Sequence, residues 1–155
     1  PLLIKISPDC SQQQIEDIAS LALKLHVDGI IISNTTVARP NYLKSEHKTR
    51  STGGLSGAAV KNQSTQVLAQ VYQLTGGKVP LIGVGGISSG ADAYDKIRNG
   101  ASLVQLYTSL TLEGPTVVQR VKQELAALLK RDGYTNVSQA VGANFLHLKK
   151  QQTKE

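Results

Sequence analysis

A chain of 155 residues, 40% hydrophobic and 18% charged, has the length of one domain and an ordinary globular composition, which excludes wholesale disorder. No apolar run approaches the roughly 20 residues of a membrane-spanning helix, and a single cysteine, Cys10, excludes an internal disulfide framework or a cysteine-based zinc cage. The net charge of +6 lies mainly in two places, +3 between Arg39 and Arg50 and +2 between His147 and Glu155, and only Tyr42 interleaves the first, so the pattern speaks against a nucleic-acid partner and reads as a solvated loop and a tail.

There is no Met, and the chain opens directly on Pro1-Leu2-Leu3-Ile4. This reads as a piece of a longer polypeptide, with part of any site expected outside it. Leu2 to Ile6 is a short apolar run closed by Ser7-Pro8-Asp9, the signature of a buried strand and a turn. Ser11 with Gln14 three residues on has the capping-box pattern, and Ile15, Ile18, Ala19, Ala22 and Leu25 come next at helical spacing, predicting a helix over 11–26. Gly29 to Ser33 is a second strand, too short and too β-branched for a helix. Asn34 to Gly57 is a long polar connection, of the length usually kept for function, and mobility is expected over Val37 to Ser51. A helix marked by Val67, Leu68, Val71, Tyr72 and Leu74 closes at Gly76-Gly77. Pro80 to Gly85 is a third strand, Ser89-Gly90 leads a third helix to Asn99-Gly100, and Ser102 to Tyr107 is a fourth strand. A last long helix is predicted over 116–130 and a short one over 138–141, with a polar tail over 143–155.

Alternating strands and helices predict an α/β fold, and nearly continuous apolar strands predict a parallel sheet covered on both faces. Four such units are half of a (β/α)8 barrel or a small open sheet.

The residues at the strand ends carry the chemistry. Gly83-Val84-Gly85-Gly86-Ile87-Ser88-Ser89-Gly90 ends a strand and opens a helix, where glycines admit a ligand to the backbone and helix N–H groups favour an anion. It matches neither the Rossmann nor the P-loop spacing and leaves a barrel-type phosphate cradle as the reading. Tyr107 and Thr108 bring two hydroxyls to the next strand end, beside the same anion. Lys5 lies inside an apolar strand, where a buried ammonium is costly unless paired. Ser33-Asn34-Thr35-Thr36 offers short amide and hydroxyl groups to a planar polar ligand, and Thr52-Gly53-Gly54-Leu55-Ser56-Gly57 is another glycine-rich approach. The three histidines are not at metal-ligand spacings.

Taken together, Asn34 to Pro40, Thr52 to Gly57, Ile82 to Ile87 and Ala101 to Thr108 resemble the dihydroorotate dehydrogenase family in motif, order and spacing, over Pro1 to about Gly142. The Thr35-Thr36-Val37-Ala38-Arg39-Pro40 stretch and the Leu106-Tyr107-Thr108 ending resemble its class 2, quinone-reducing membrane enzymes. The resemblance implies a (β/α)8 TIM barrel, here its last four βα units over residues 1–142, holding FMN at its mouth. It implies oxidation of dihydroorotate to orotate in pyrimidine synthesis, with electrons passed to ubiquinone. It maps Lys5, Ser33, Gly57, Gly85, Gly86, Tyr107 and Thr108 onto FMN-binding positions, Ser33 in place of the usual threonine, and Asn34 and Thr35 onto substrate-binding positions. The catalytic base, a serine in class 2, and the quinone tunnel belong to the other half of the barrel, as does any membrane contact. The implied location is the mitochondrial inner membrane in a eukaryote and the bacterial inner membrane otherwise. A flavin-free phosphate-binding barrel enzyme accounts for the glycine turn and Tyr107-Thr108, but not for Lys5 with Ser33-Asn34-Thr35. A non-catalytic half-barrel remains the reading from a different class.

Overall fold

The structure of the chain is a computed structural model that describes residues 1–41, 43 and 52–146. Its strands are β1 (Leu3–Ile6), β2 (Gly29–Ile32), β3 (Leu81–Val84) and β4 (Ala101–Gln105). They form one sheet in the order β1-β2-β3-β4, and each neighbouring pair is parallel. The helices are α1 (Gln12–Lys24), α2 (Lys61–Leu74), α3 (Gly90–Arg98), α4 (Thr108–Glu113), α5 (Thr116–Arg131) and α6 (Val137–Ala140). A doubly wound sheet reverses its strand order at a switch point, whereas here the order never reverses. That is the arrangement of four consecutive units of a (β/α)8 barrel rather than of a small open sheet.

Side-chain chemistry sets the element ends. Ser11 and Gln14 form the expected capping box at α1, with Gln14 N–H donating to Ser11 Oγ at 3.3 Å and Ser11 N–H to Gln14 Oε1 at 2.9 Å. A second box joins Ser89 and Asp92 at α3. α2 starts at Lys61, ahead of its first predicted apolar position, and is led in by a 3₁₀ turn, Gly57–Val60. β4 stops at Gln105, two residues short of the predicted Tyr107. From Thr108 the chain turns into α4, whose six residues are too few to show a helical period in sequence.

The register explains which strand face is covered. Ile4, Ile30, Leu81 and Ala101 are aligned, as are Ile6, Ile32, Gly83 and Val104. Ile30, Ile32, Leu81 and Ala101 are fully buried and pack with Leu68 and Val71 of α2. The intervening row is Lys5, Ile31, Ile82 and Leu103. These residues are only partly covered, and Leu103 is half exposed. Among the described residues, helices cover one face of the sheet; the other is the face that a closed (β/α)8 barrel turns to its interior. Lys5 stands on that second face of β1, the first strand of the sheet, and is exposed in this chain. At the other end of the chain a 3₁₀ turn, Ala143–Phe145, brings the Phe145 ring to 5.8 Å from that of Tyr72. The tail over 147–155 lies outside the described residues, as does most of the 37–51 loop.

Candidate active site at the carboxyl ends of the strands

Parallel strands deliver their carboxyl ends to one edge of the sheet, and a cavity of about 680 Å³ opens there. All nine residues singled out in the sequence line it: Lys5 from β1, Ser33, Asn34 and Thr35 after β2, Gly57 before α2, Gly85 and Gly86 after β3, and Tyr107 and Thr108 after β4.

The segment after β2 is held like a strand on both sides. Asn34 N–H donates to Ile6 O at 2.8 Å and Ser33 N–H to Val84 O at 3.1 Å. The Ile32–Ser33 peptide is cis. Ser33 is buried and donates its hydroxyl to Asn34 O at 2.9 Å. Asn34 Oδ1 accepts the Thr35 N–H at 2.9 Å, so the amide faces the cavity chiefly as a donor. Thr36 then pairs with Leu55 in an antiparallel bridge, N–H to O at 3.1 and 2.8 Å. The bridge needs a glycine at 54: a Cβ there would lie 1.9 Å from Thr35 Oγ1. Arg39, read in sequence as part of a solvated loop, donates to the carbonyls of Thr36, Ala38 and Gly53.

The far side of the cavity is the glycine turn. Gly85 and Gly86 have φ of 111° and 73°, and a Cβ on Gly86 would meet Lys61 Cβ at 2.4 Å. Thr108 donates its hydroxyl to Ser56 Oγ at 3.1 Å, which ties the start of α4 to the loop before α2. Tyr107 is 78% exposed, so its ring is not a core tyrosine.

One expectation fails here. The amides leading into α3 are expected from the sequence to meet an anion, but they are already occupied. Ser88 and Ser89 N–H both donate to Asp92 Oδ2 at 3.0 Å, and Gly90 N–H donates to Glu124 Oε2 at 2.6 Å. Burial alone would raise the Asp92 carboxyl, but the hydrogen bonds from Lys61, Ser88 and Ser89 and the Lys61 charge outweigh it and hold it at about 2. Lys61 Nζ lies 2.9 Å from Asp92 Oδ1. An anion in the cavity is therefore left to the Gly85-Gly86 turn and the Tyr107-Thr108 end, not to the amino end of α3.

Sequence reasoning missed Asp9. Its carboxylate accepts from Thr36 Oγ1 at 2.5 Å, Val37 N–H at 2.8 Å and Gln63 Nε2 at 2.9 Å, and so fixes the path of the chain just beyond Asn34-Thr35. Burial pushes this carboxyl up and the three hydrogen bonds more than offset it, leaving it below the usual range. The one sequence signal was a Pro-Asp turn at a strand end. Ser109, which donates to Ile87 O at 2.6 Å and braces the wall between β3 and α4, gave none.

Known proteins are similar to this chain in sequence and in fold. The family model described as dihydroorotate dehydrogenase matches residues 1–129. The chain belongs to the dihydroorotate dehydrogenase family. It is 55% identical over 145 residues to the protein of Oryza sativa subsp. japonica named dihydroorotate dehydrogenase (quinone), mitochondrial, covering 94% of this chain and 31% of that one. It is 55% identical over 144 residues to dihydroorotate dehydrogenase (quinone) of Parvibaculum lavamentivorans, covering 93% and 41%. The crystal structure of the ligand-free enzyme of this family from Eimeria tenella superimposes with a TM-score of 0.89 at 46% identity, over 92% of this chain and 40% of that one. The chain thus spans about a third to two fifths of the length of these relatives, and its sheet is part of a TIM barrel of this family.

Proposed function

We propose that the protein carrying this chain oxidises dihydroorotate to orotate with FMN and delivers the electrons to ubiquinone, in pyrimidine synthesis. The observation that carries the reading is that the residues at all four strand ends line one cavity. The donor set fits a flavin nucleotide. β1 and β4 lie about 14 Å apart across three strand spacings, roughly the reach of an extended flavin nucleotide. A lysine and an asparagine stand at one end of that span, and a glycine turn with two hydroxyls stands at the other. FMN supplies the acceptance of a hydride and its onward transfer as electrons.

The chain's own residues bind and orient. Gly85, Gly86 and Thr108 receive the phosphate end, with Tyr107 alongside and Gly57 allowing close approach. Lys5 holds a positive charge at the ring end, where negative charge grows as the hydride leaves the substrate. Ser33 supports the ring end through the backbone that carries Asn34. Asn34 donates to the pyrimidine ring and Thr35 adds a hydroxyl, which orients the reacting carbon. The proton acceptor and the quinone site belong to the part of the relatives' length that this chain does not span. No helix among the described residues is long and apolar enough to cross a membrane, so membrane attachment too is assigned to that part. Several relatives are named mitochondrial, and an inner-membrane location is proposed on that ground.

The combination of Lys5 with Ser33-Asn34-Thr35 in the same cavity as the glycine turn favours this reading over a flavin-free phosphate enzyme. The test is steady-state oxidation of dihydroorotate by the full-length protein with a short-chain ubiquinone as acceptor. Quinone-dependent orotate formation is expected, with a steep loss in Asn34→Ala. Absence of orotate formation in a folded, flavin-loaded protein rejects the proposal.

A further inference from the structure

Lys96 has no exposed surface, and its ammonium takes no part in lining the cavity. A fully buried ammonium is expensive to keep, and helix surfaces offer lysine cheaper positions. Its partners are therefore informative. Nζ donates to Ser64 Oγ at 2.5 Å and to Lys61 O at 3.3 Å. Ser64 Oγ in turn lies 3.0 Å from Lys61 O and 3.4 Å from Gly85 O. A Cβ on Gly85 would meet Ser64 Oγ at 2.8 Å, and one on Gly86 would meet Lys61 Cβ at 2.4 Å. The ammonium thus sits directly behind the Gly85-Gly86 turn, at the joint between β3 and the start of α2.

The amides in front of α3 are consumed by Asp92 and Glu124, so α3 does not offer the turn a free amino end. Lys61 is paired with Asp92. We propose that Lys96 is a positioning residue for the phosphate of the bound cofactor: it pins the Gly85-Gly86 turn through Ser64 and places a buried positive charge behind it. This role rests on FMN being the cofactor.

Burial pulls the Lys96 ammonium down to about 8, against the opposing pull of Asp95 and Asp92, with Lys61 adding to the fall. Those three are the charged groups around it, since β3 and β4 carry none. Folded and unfolded states then differ in a definite direction. The unfolded lysine keeps its proton to about 10.5, so Lys96 makes the fold more stable as pH falls from about 10.5 to 8 only if its folded value were the higher one; with the folded value the lower, the protonated group costs stability below about 8 and that cost is relieved as pH rises to about 10.5. Phosphate affinity should fall over the start of that same window. A merely structural lysine has no reason to show the second trend.

The experiment measures binding of FMN and of riboflavin, which lacks the phosphate, to full-length apoprotein between pH 7 and 9.5. The wild type is expected to prefer FMN, and the preference should shrink as pH passes 8. Lys96→Met should cut the preference about tenfold at pH 7, the order of effect of one unit charge acting through a protein interior, leave riboflavin affinity nearly unchanged and show no pH trend. Ser64→Ala keeps the charge but removes its link to the turn, and should give a smaller loss of the same kind. A wild-type protein that binds riboflavin as tightly as FMN overturns the FMN reading and the role of Lys96 together. A wild-type preference that survives in both variants overturns the role of Lys96 alone.

Discussion

Lys5 and Asn34 stand apart from the glycine turn at the other end of the cavity, and their chemistry separates their roles. Lys5 presents a full charge on an exposed strand face, whereas Asn34 has its Oδ1 engaged by Thr35 N–H and offers mainly donors. Only interactions that strengthen in the transition state accelerate chemistry. Lys5→Ala is therefore expected to slow reduction of the bound flavin by dihydroorotate, while Asn34→Ala acts on substrate binding and placement. Each should cost about 2–4 kcal/mol, the range of a lost preorganised donor. Anaerobic stopped-flow with flavin content measured separately checks both. If Lys5→Ala keeps FMN and is reduced at the wild-type rate, the lysine is structural. At this scale the sequence was a good guide to the glycines and short polar groups, because their backbone freedom and donor chemistry are properties of the residue itself. It was a poor guide to Asp9, whose three partners lie 27, 28 and 54 residues away.

At the scale of elements, the joint between β3, α3 and α5 is where local pattern gave way to tertiary competition. The Ser-Ser-Gly lead-in reads as an anion site when only its own neighbourhood is considered. Asp92, three residues on from Ser89, and Glu124, from α5, fill it instead. The capping boxes at Ser11 and Ser89 behave differently: both partners lie within one turn, so α1 was legible almost to the residue. α4 was missed because six residues hold too little periodicity. The Asp92 contacts give a pH dependence with a definite sign. Its folded carboxyl lies near 2 against 3.8 in an ordinary carboxylate, so its contribution is complete above about pH 4 and is lost as pH falls towards 2. Asp92→Asn should remove about 1–2 kcal/mol of stability at neutral pH, allowing for its partial exposure, and should flatten the acid limb. Denaturant unfolding of wild type and variant at pH 7 and pH 3 reads both. An equal stability gap at the two pH values contradicts the assignment.

Over the whole molecule, the strand order β1-β2-β3-β4 does more than any single motif. It turns four separate strand-end motifs, spread from Lys5 to Thr108, into one cavity wall. The alternation of strands and helices made the parallel sheet readable in sequence, but alternation alone left a half-barrel and a small open sheet equally available. The unreversed order distinguishes them, and it is a long-range property. The central claim is that this wall holds FMN so that dihydroorotate can reduce it. The direct measurement is the visible absorption spectrum of the full-length protein, recorded anaerobically before and after adding dihydroorotate without quinone. The expected result is a flavin band, stoichiometric with the protein, that bleaches on substrate addition and returns with ubiquinone. A protein purified without flavin that takes up none, or a bound flavin that dihydroorotate leaves oxidised, contradicts it.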